Sequence, residues 1–325
     1  MAIPHAPNAE MSIDSDKFRV AVIGVGEMGR RHLRVVSALA DVFDVVGVVD
    51  TDHSAARDAA ACFSVPHLVD EGEAIARADV IVVATPIGAH ASSVGRALDT
   101  GKHVLVEKPV CAHFMDAERL VNVAARRRVH LFVGHSERFN PVIRALTRIV
   151  SPNDVRRIDL CRVGPPMSSS PLRRMHEGSV LLNLGIHDID LAAYLCGSNV
   201  ELRRADGDEA RATLAVSTAR GAVARIHVDR LAPVRRRTVR VTTTNAVYEG
   251  DLLAPSLARR PLRGGNLEVI AVDTGEPLTE QARAMYDALS GRKTGIATGL
   301  DGARALQVAE RAAWVCEAPK QAAEA

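Results

Sequence analysis

The sequence predicts an α/β chain, with a doubly wound parallel sheet in its first half and an α+β unit of adjacent antiparallel strands in its second. Three observations predict it. Between residues 18 and 134, short apolar runs alternate with segments of helical spacing. After residue 140 that alternation gives way to strand-like segments separated by short turns. The length of 325 residues is too great for one ordinary compact domain and suits two.

Each element follows from its local pattern. Residues 18–23 read as a buried strand, 28–40 as a helix, 45–49 as the next strand, 55–62 as a short helix and 65–69 as a third strand. Residues 80–84 and 103–106 are apolar almost throughout, as a sheet covered on both faces requires. Helices at 90–100 and 112–128 separate and follow them, and 131–133 closes the set. Strand, helix, strand in regular alternation implies parallel strands joined by right-handed crossovers. In the second half the pattern predicts a helix at 141–150, a strand at 156–163, a Pro- and Ser-rich loop at 164–170 and a helix at 180–195. Strands at 212–217, 222–228, 238–243 and 267–272 follow, then helices at 277–290 and 301–314. Strands in close succession pair antiparallel.

Composition narrows the class. The chain is 47% hydrophobic and 25% charged, as soluble globular proteins are, and with aromatics at 3% the core must come from Val, Leu, Ile and Ala. Lys and Arg number 41 against 39 Asp and Glu, so nothing in the balance favours nucleic acid as a partner. Local arginine clusters at 126–128, at Arg173 with Arg174 and at 235–237 read as solvated faces unless they border an active site, where a phosphorylated substrate suits them. Five scattered cysteines without a Cys-x-x-Cys pair give no expectation of structural zinc or of a disulfide framework, and fit a reducing cytoplasm. Residues 1–16 read as a flexible tail without the basic segment and apolar run of a signal peptide, and no stretch reaches the length of a membrane span. The expectation is a soluble cytoplasmic protein with no membrane partner.

Gly24-Val25-Gly26-Glu27-Met28-Gly29 has the Gly-x-Gly-x-x-Gly spacing, directly after the first strand and opening a helix. Gly24 permits the tight turn, Gly26 lets the backbone approach a pyrophosphate, and Gly29 permits close helix-to-strand packing. The helix N-terminus offers N–H groups and a favourable dipole to the anion. Asp50, at the end of the second strand, suits the adenosine ribose hydroxyls and would repel a 2′-phosphate, so NAD is preferred to NADP. The first half is therefore read as a Rossmann domain over residues 17–136, and residues 137–325 as a second domain that builds the substrate site and whose last helix can pack back on the first. Ligands of such sheets sit beyond the strands' carboxyl ends, where Thr85, Pro86 and His90 follow one strand and Glu107 and Lys108 another. His135, after the last strand, is counted with the cofactor-lining residues.

Lys108, beside a nicotinamide, suits a hydrogen bond to a substrate hydroxyl, and desolvation would lower its pKa towards base chemistry. Pro109 is suited to a cis turn. In the segment Asn183-Leu184-Gly185-Ile186-His187-Asp188-Ile189-Asp190 a helix would put Asn183 and His187 on one face, and a histidine can accept a hydroxyl proton.

The glycine turn, Glu107-Lys108-Pro109 and Gly185-Ile186-His187-Asp188-Ile189-Asp190-Leu191 together, in this order, resemble the Gfo/Idh/MocA oxidoreductase family over residues 18–318. The resemblance implies a second domain with a large, mostly antiparallel sheet, used for dimer or tetramer contacts. It also implies hydride transfer between NAD and a hydroxyl carbon of a sugar, a cyclitol or a related compound. Lys108 and His187 then stand at the family's lysine and catalytic histidine, and Glu107 near the nicotinamide ribose. Where many members carry aspartate, this chain has Asn183, which can bind a sugar hydroxyl but cannot ionise. The segment Gly134-His135-Ser136-Glu137-Arg138-Phe139-Asn140-Pro141, with Arg162-Val163-Gly164-Pro165, resembles the branch holding UDP-N-acetylglucosamine 3-dehydrogenases. That implies Arg138 and Asn140 facing the sugar and nicotinamide, and Arg162, with Arg173 or Arg174, meeting the diphosphate. It further implies a role in lipopolysaccharide or lipid A biosynthesis. An inositol or free-sugar dehydrogenase of the same family, and a non-catalytic NAD-binding regulator, are the alternatives.

Overall fold

The computed structural model describes residues 17–165 and 179–324. The tail of residues 1–16, Arg173, Arg174 and the loop from residue 166 onward lie outside the described residues.

Five strands form the first sheet: β1 (Phe18–Ile23), β2 (Phe43–Val49), β3 (Val80–Val83), β4 (His103–Val106) and β5 (Leu131–Val133). They are parallel, in the order β2-β1-β3-β4-β5. All four side chains of β3 are fully buried, so residues on both faces meet helices; each contributes roughly 1.5–3 kcal/mol by leaving water. The helices of this half are α1 (Glu27–Ala38), α2 (His53–Phe63), α3 (Glu71–Arg77), α4 (Ile87–Asp99) and α5 (Phe114–Arg127). Asp52 caps α2 by accepting from the N–H groups of Ser54 and Ala55.

The strand expected at 65–69 is only a bridge between His67 and Val48. Pro66 has no N–H to give a ladder, and Val69 is 70% exposed, so the segment cannot continue as a covered strand. In its wake comes α3, which the apolar pattern did not show. Its signal is the cap: Asp70 accepts from Glu73 N–H, and the Glu73 carboxylate accepts from Val69 N–H.

The second half begins with α6 (Pro141–Ile149) and contains an eight-stranded sheet. Its strands are β6 (Val155–Val163), β7 (Val200–Gly207), β8 (Arg211–Thr218), β9 (Val223–Asp229), β10 (Arg236–Thr243), β11 (Ala246–Asp251), β12 (Ser256–Pro261) and β13 (Glu268–Ile270). The order is β13-β12-β11-β10-β6-β9-β8-β7, and every pair is antiparallel except β6 with β9. β7, β11 and β12 were not predicted individually. β12 shows why: only Leu257 of its six residues is fully buried, and Arg259 and Arg260 mask the alternation. The helix expected at 180–195 opens as a π turn over Leu181–Gly185 and becomes α7 (Ile186–Cys196), closed by Gly197 in the left-handed region at φ 56°.

The chain then returns to the first sheet. α8 (Pro277–Leu289) joins α1 and α2 over one face, and Thr298 bridges to Phe132 of β5. α9 (Gly299–Glu324) lies against α5, α7, β5 and β7. One apolar cluster consequently runs unbroken from Leu98 and Leu120, through Leu306 and Leu191, to Leu214 and Val239 of the second sheet. Among the described residues no helix is long and apolar enough to cross a membrane.

Candidate active site

The glycine turn is built from backbone geometry. Gly24 has φ 90°, and a Cβ there would lie 2.7 Å from the Ala84 carbonyl. At Gly29 a Cβ would stand 1.9 Å from the Gly24 oxygen, so α1 could not approach the turn. Gly26 faces open space, which leaves its backbone accessible to a phosphate. Glu27 turns its side chain to Arg31 at 2.6 Å, and Met28, in the first turn of α1, packs half-buried against the core, so what both offer at the turn is backbone N–H. Asp50 is aimed by that turn: its carboxylate accepts from Val25 N–H at 2.7 Å and Asp52 N–H at 2.9 Å. Gly24, Asp50, Thr51, Thr85 and Pro86 line one cleft of about 1500 Å³. The cradle fits a dinucleotide.

His90 departs from its expected role. It is buried, with ring nitrogens 2.8 Å from the Thr85 carbonyl oxygen and 2.9 Å from that of Pro109. It ties the β3 loop to the β4 loop instead of lining the cleft. The Lys108–Pro109 peptide is cis. Glu107 is likewise enclosed, with its carboxylate 2.7 Å from His32 Nε2 and accepting from Lys108 N–H at 3.1 Å. Burial pushes this carboxyl up, but the His32 hydrogen bond and the charges of His32 and Lys108 outweigh it and hold it below its ordinary value.

Lys108 and the π turn at Leu181–Gly185 meet where the two halves join. Lys108 Nζ donates to the Asn183 carbonyl at 2.9 Å and reaches its side-chain oxygen at 3.4 Å. Burial lowers the ammonium pKa, and Arg162 and Arg237 lower it further against the pull of Glu107. Four residues beyond Asn183, His187 keeps a buried Nδ1 without a hydrogen-bond partner among the described residues. Burial, then the charge of Lys108, then that of Arg162, hold its pKa well below the ordinary value, so the imidazole is neutral near pH 7. His135 stands edge-on to it, ring centroids 6.2 Å apart. It is fully enclosed, with no hydrogen-bond partner on either nitrogen among the described residues and the Asp190 carboxylate 4.0 Å from Nδ1.

Three expected substrate contacts are corrected by the structure. Arg138 is buried and bound through both arms to Asp190, at 2.6 and 2.7 Å, beneath the ring of Tyr194. It holds α7 to the end of β5 and does not face a sugar. Asn140 is a helix cap: its oxygen accepts from Val142 N–H and its amide donates to the Leu252 carbonyl, and the residue is buried within the protein. Arg162 sits deeper than a diphosphate contact requires, its guanidinium committed to Asp188 at 2.8 Å and Glu137 at 2.8 Å. Burial alone would depress this guanidinium, and the two carboxylates raise it instead.

Glu137, Asp188, Asp190 and His32 were not singled out from the sequence. Two of them stood in the quoted segment around His187, yet nothing local marked them as arginine partners. Glu137 also accepts from Arg237 at 3.0 Å. Beside this network lies a pocket of about 450 Å³, lined by the end of β6, by Asn183 and by Arg230, Arg235 and Arg237.

The likenesses of the chain agree with this geometry. Residues 18–135 match the family model described as an oxidoreductase family with an NAD-binding Rossmann fold, and residues 156–249 match the GFO/IDH/MocA C-terminal domain. The chain is 27% identical over 306 residues to UDP-N-acetylglucosamine 3-dehydrogenase of Acidithiobacillus ferrooxidans, covering 90% of this chain and 95% of that one. A solved structure of UDP-N-acetylglucosamine 3-dehydrogenase from that organism superposes with a TM-score of 0.85 at 25% identity, covering 93% and 98%. Inositol 2-dehydrogenase of Rhizobium meliloti is 29% identical over 187 residues, and the match spans only 55% of either chain. A dTDP-3,4-didehydro-2,6-dideoxy-alpha-D-glucose 3-reductase of Streptomyces violaceoruber is 30% identical over 58% of this chain and 57% of that one. With a cradle for NAD in one half, a lysine and a neutral histidine at the junction and both family models matched in order, the chain belongs to the Gfo/Idh/MocA family of NAD-binding oxidoreductases.

Proposed function

We propose that the protein oxidises a sugar hydroxyl to a ketone, and that this hydroxyl is at C3 of UDP-N-acetylglucosamine or a closely related UDP-amino sugar. The observation that carries the reading is the junction cluster: the Lys108 ammonium on Asn183, beside a neutral His187 whose buried Nδ1 has no hydrogen-bond partner among the described residues. The nucleotide-sugar part is supported by likeness over both halves to the UDP-N-acetylglucosamine enzyme, against 55% of the chain for the inositol enzyme. Apart from Lys108, the substrate contacts in this reading come from the second half.

Held by the glycine turn and Asp50, NAD would supply the acceptor for the hydride of the carbinol carbon. The chain holds the alcohol and removes its proton. Lys108 donates a hydrogen bond to the substrate oxygen and stabilises the charge that develops there. His187, held neutral by its surroundings, accepts the hydroxyl proton. Asn183 fixes the lysine and binds a neighbouring hydroxyl; as an amide it cannot act as the base, which assigns that role to His187. An aminotransferase is the class of reaction that consumes such a ketone, so the step fits amino-sugar supply for lipopolysaccharide or lipid A. Assembly as a homodimer or homotetramer belongs to the same proposal, and sedimentation as a monomer would remove that part.

The test is NADH absorbance with purified protein, NAD, UDP-sugars, free sugars and inositols, with a carbonyl trap because alcohol oxidation by NAD is uphill. NADH from UDP-N-acetylglucosamine and not from free polyols is the expected result. Turnover of a free polyol alone would replace the nucleotide sugar with a cyclitol or free sugar.

A further inference from the structure

We propose that the arginine-lined pocket at the ends of β6 and β10 binds the diphosphate of the substrate, with Arg235 and Arg237 as its principal ligands and Arg162 as a support. The proposal rests on the preceding reading of the substrate as a nucleotide sugar. It moves the anion site away from the groups that sequence resemblance implied.

The pocket is lined by Arg162, Gly164, Asn183, Arg230, Arg235 and Arg237 among others, and among the described residues no carboxylate lines it. Such a concentration of guanidinium groups is costly. Arg162 and Arg237 stand directly opposite one another across the β6–β10 pair, an arrangement that destabilises a sheet when charges are alike. Glu137 offsets the cost by accepting from both, and Asp188 takes the other arm of Arg162. Neither carboxylate belongs to the pocket wall, so they hold the arginines without neutralising the surface a ligand would meet.

The remaining capacity is placed for an anion. Arg237 gives only Nη1 to Glu137; its Nε and Nη2 have no partner among the described residues, and its side chain is 30% exposed. Arg235 is exposed and makes no hydrogen bond or ion pair among the described residues, and its stem lies over Gly164, where a Cβ would meet its Cα and Cγ at 3.4 Å. Guanidinium forks match phosphate oxygens, and two forks on one wall suit a diphosphate better than a single carboxylate. The distance to the chemistry is short: Asn183, which lines the pocket, also receives the Lys108 ammonium. A sugar whose hydroxyl reaches Lys108 therefore carries its anomeric phosphate towards this wall. A second anion, the cofactor pyrophosphate, is served separately by the glycine turn.

The experiment titrates UDP, inorganic pyrophosphate and N-acetylglucosamine 1-phosphate into the NAD-saturated protein by calorimetry and follows KM and kcat for UDP-N-acetylglucosamine. Arg235→Ala touches no buried pair and Arg237→Lys keeps the charge while removing the fork. For Arg235→Ala the expected change is a rise of about ten-fold or more in the UDP Kd and in KM. With ground-state binding alone removed, kcat stays within about two-fold. Arg237→Lys gives a smaller rise. Binding of UDP but not of the sugar phosphate assigns the wall to the diphosphate, and equal binding of the sugar phosphate assigns it to one phosphate only, overturning the diphosphate claim. Unchanged KM and Kd in both variants, with turnover intact, overturns the pocket while the substrate reading stands. Arg235-dependent UDP binding without oxidation of any UDP-sugar leaves the pocket standing and removes the substrate reading.

Discussion

The cofactor cleft and the proposed substrate side of this molecule are built by opposite means. The cleft is a backbone construction: three glycines within six residues set the turn, and Asp50 is aimed by N–H groups of that turn and its own loop. The substrate side is a side-chain construction. Arg162 of β6, Arg237 of β10 and Arg138 of the turn after β5 are each held by a carboxylate from another element, whereas Arg235 stands without an ion pair among the described residues. A backbone site tolerates side-chain change and fails when a Cβ intrudes. A network of buried pairs fails when one charge is left alone.

The largest effect expected from that contrast is on stability. Arg162→Leu leaves Glu137 and Asp188 enclosed without their main partner and should cost about 3–5 kcal/mol, read as a fall in Tm or in the denaturant midpoint. Arg235→Ala, on the same wall but without a pair, should change stability by less than about 0.5 kcal/mol. Equal losses in the two variants would dissolve the distinction between buried support and exposed ligand.

Next comes chemistry. Lys108→Ala should lower kcat about a thousand-fold while NAD binding, followed by calorimetry, persists. Retention of full turnover would remove Lys108 from the mechanism. On the cofactor side the effect is smaller. Asp50→Ala should weaken NAD about ten-fold by removing the acceptor for the ribose hydroxyls. It should also raise the relative use of NADP, measured as the ratio of kcat/KM values. An unaltered ratio would show that Asp50 does not select the cofactor.

The mildest test is pH. In the proposed mechanism His187 must be neutral to accept the proton, and its pKa lies well below the ordinary 6.5 because of burial and the charges of Lys108 and Arg162. The base therefore stays available as pH falls through 6.5, and the acid limb of kcat/KM should appear below that value. The same depression has a stability sign. The unfolded chain binds the proton first, so stability is fully present above about pH 6.5 and declines as pH falls towards the depressed folded value. An acid limb above 6.5 would mean that His187 is not held neutral.

The contrast also explains what the sequence could show. The strands around Val20, Val82 and Leu105 and the turn at Gly24, Gly26 and Gly29 are written in contiguous residues, so period and spacing reveal them. Lys108 and His187 were found through short motifs after a strand and on a helix. Their surroundings were not legible, because the partners lie far apart in the chain: His32 and Glu107 are separated by 75 residues, Arg138 and Asp190 by 52. No local pattern tells a buried arginine bound to aspartate from one that awaits a phosphate. For that reason Arg138 and Arg162 were expected at the substrate, while Arg235 and Arg237 were noticed only as a charged cluster. The π turn that presents the Asn183 carbonyl to Lys108 was equally hidden inside an apolar helical pattern.

The most direct test of the central claim uses UDP-N-acetylglucosamine carrying deuterium at C3, incubated with the protein and NAD, with the NADH analysed by mass spectrometry. The expected product is singly deuterated NADH, formed by the wild-type protein and lost in Lys108→Ala. Undeuterated NADH would place the oxidation at another carbon, and no NADH from any UDP-sugar, with inositol oxidised instead, would contradict the nucleotide-sugar assignment.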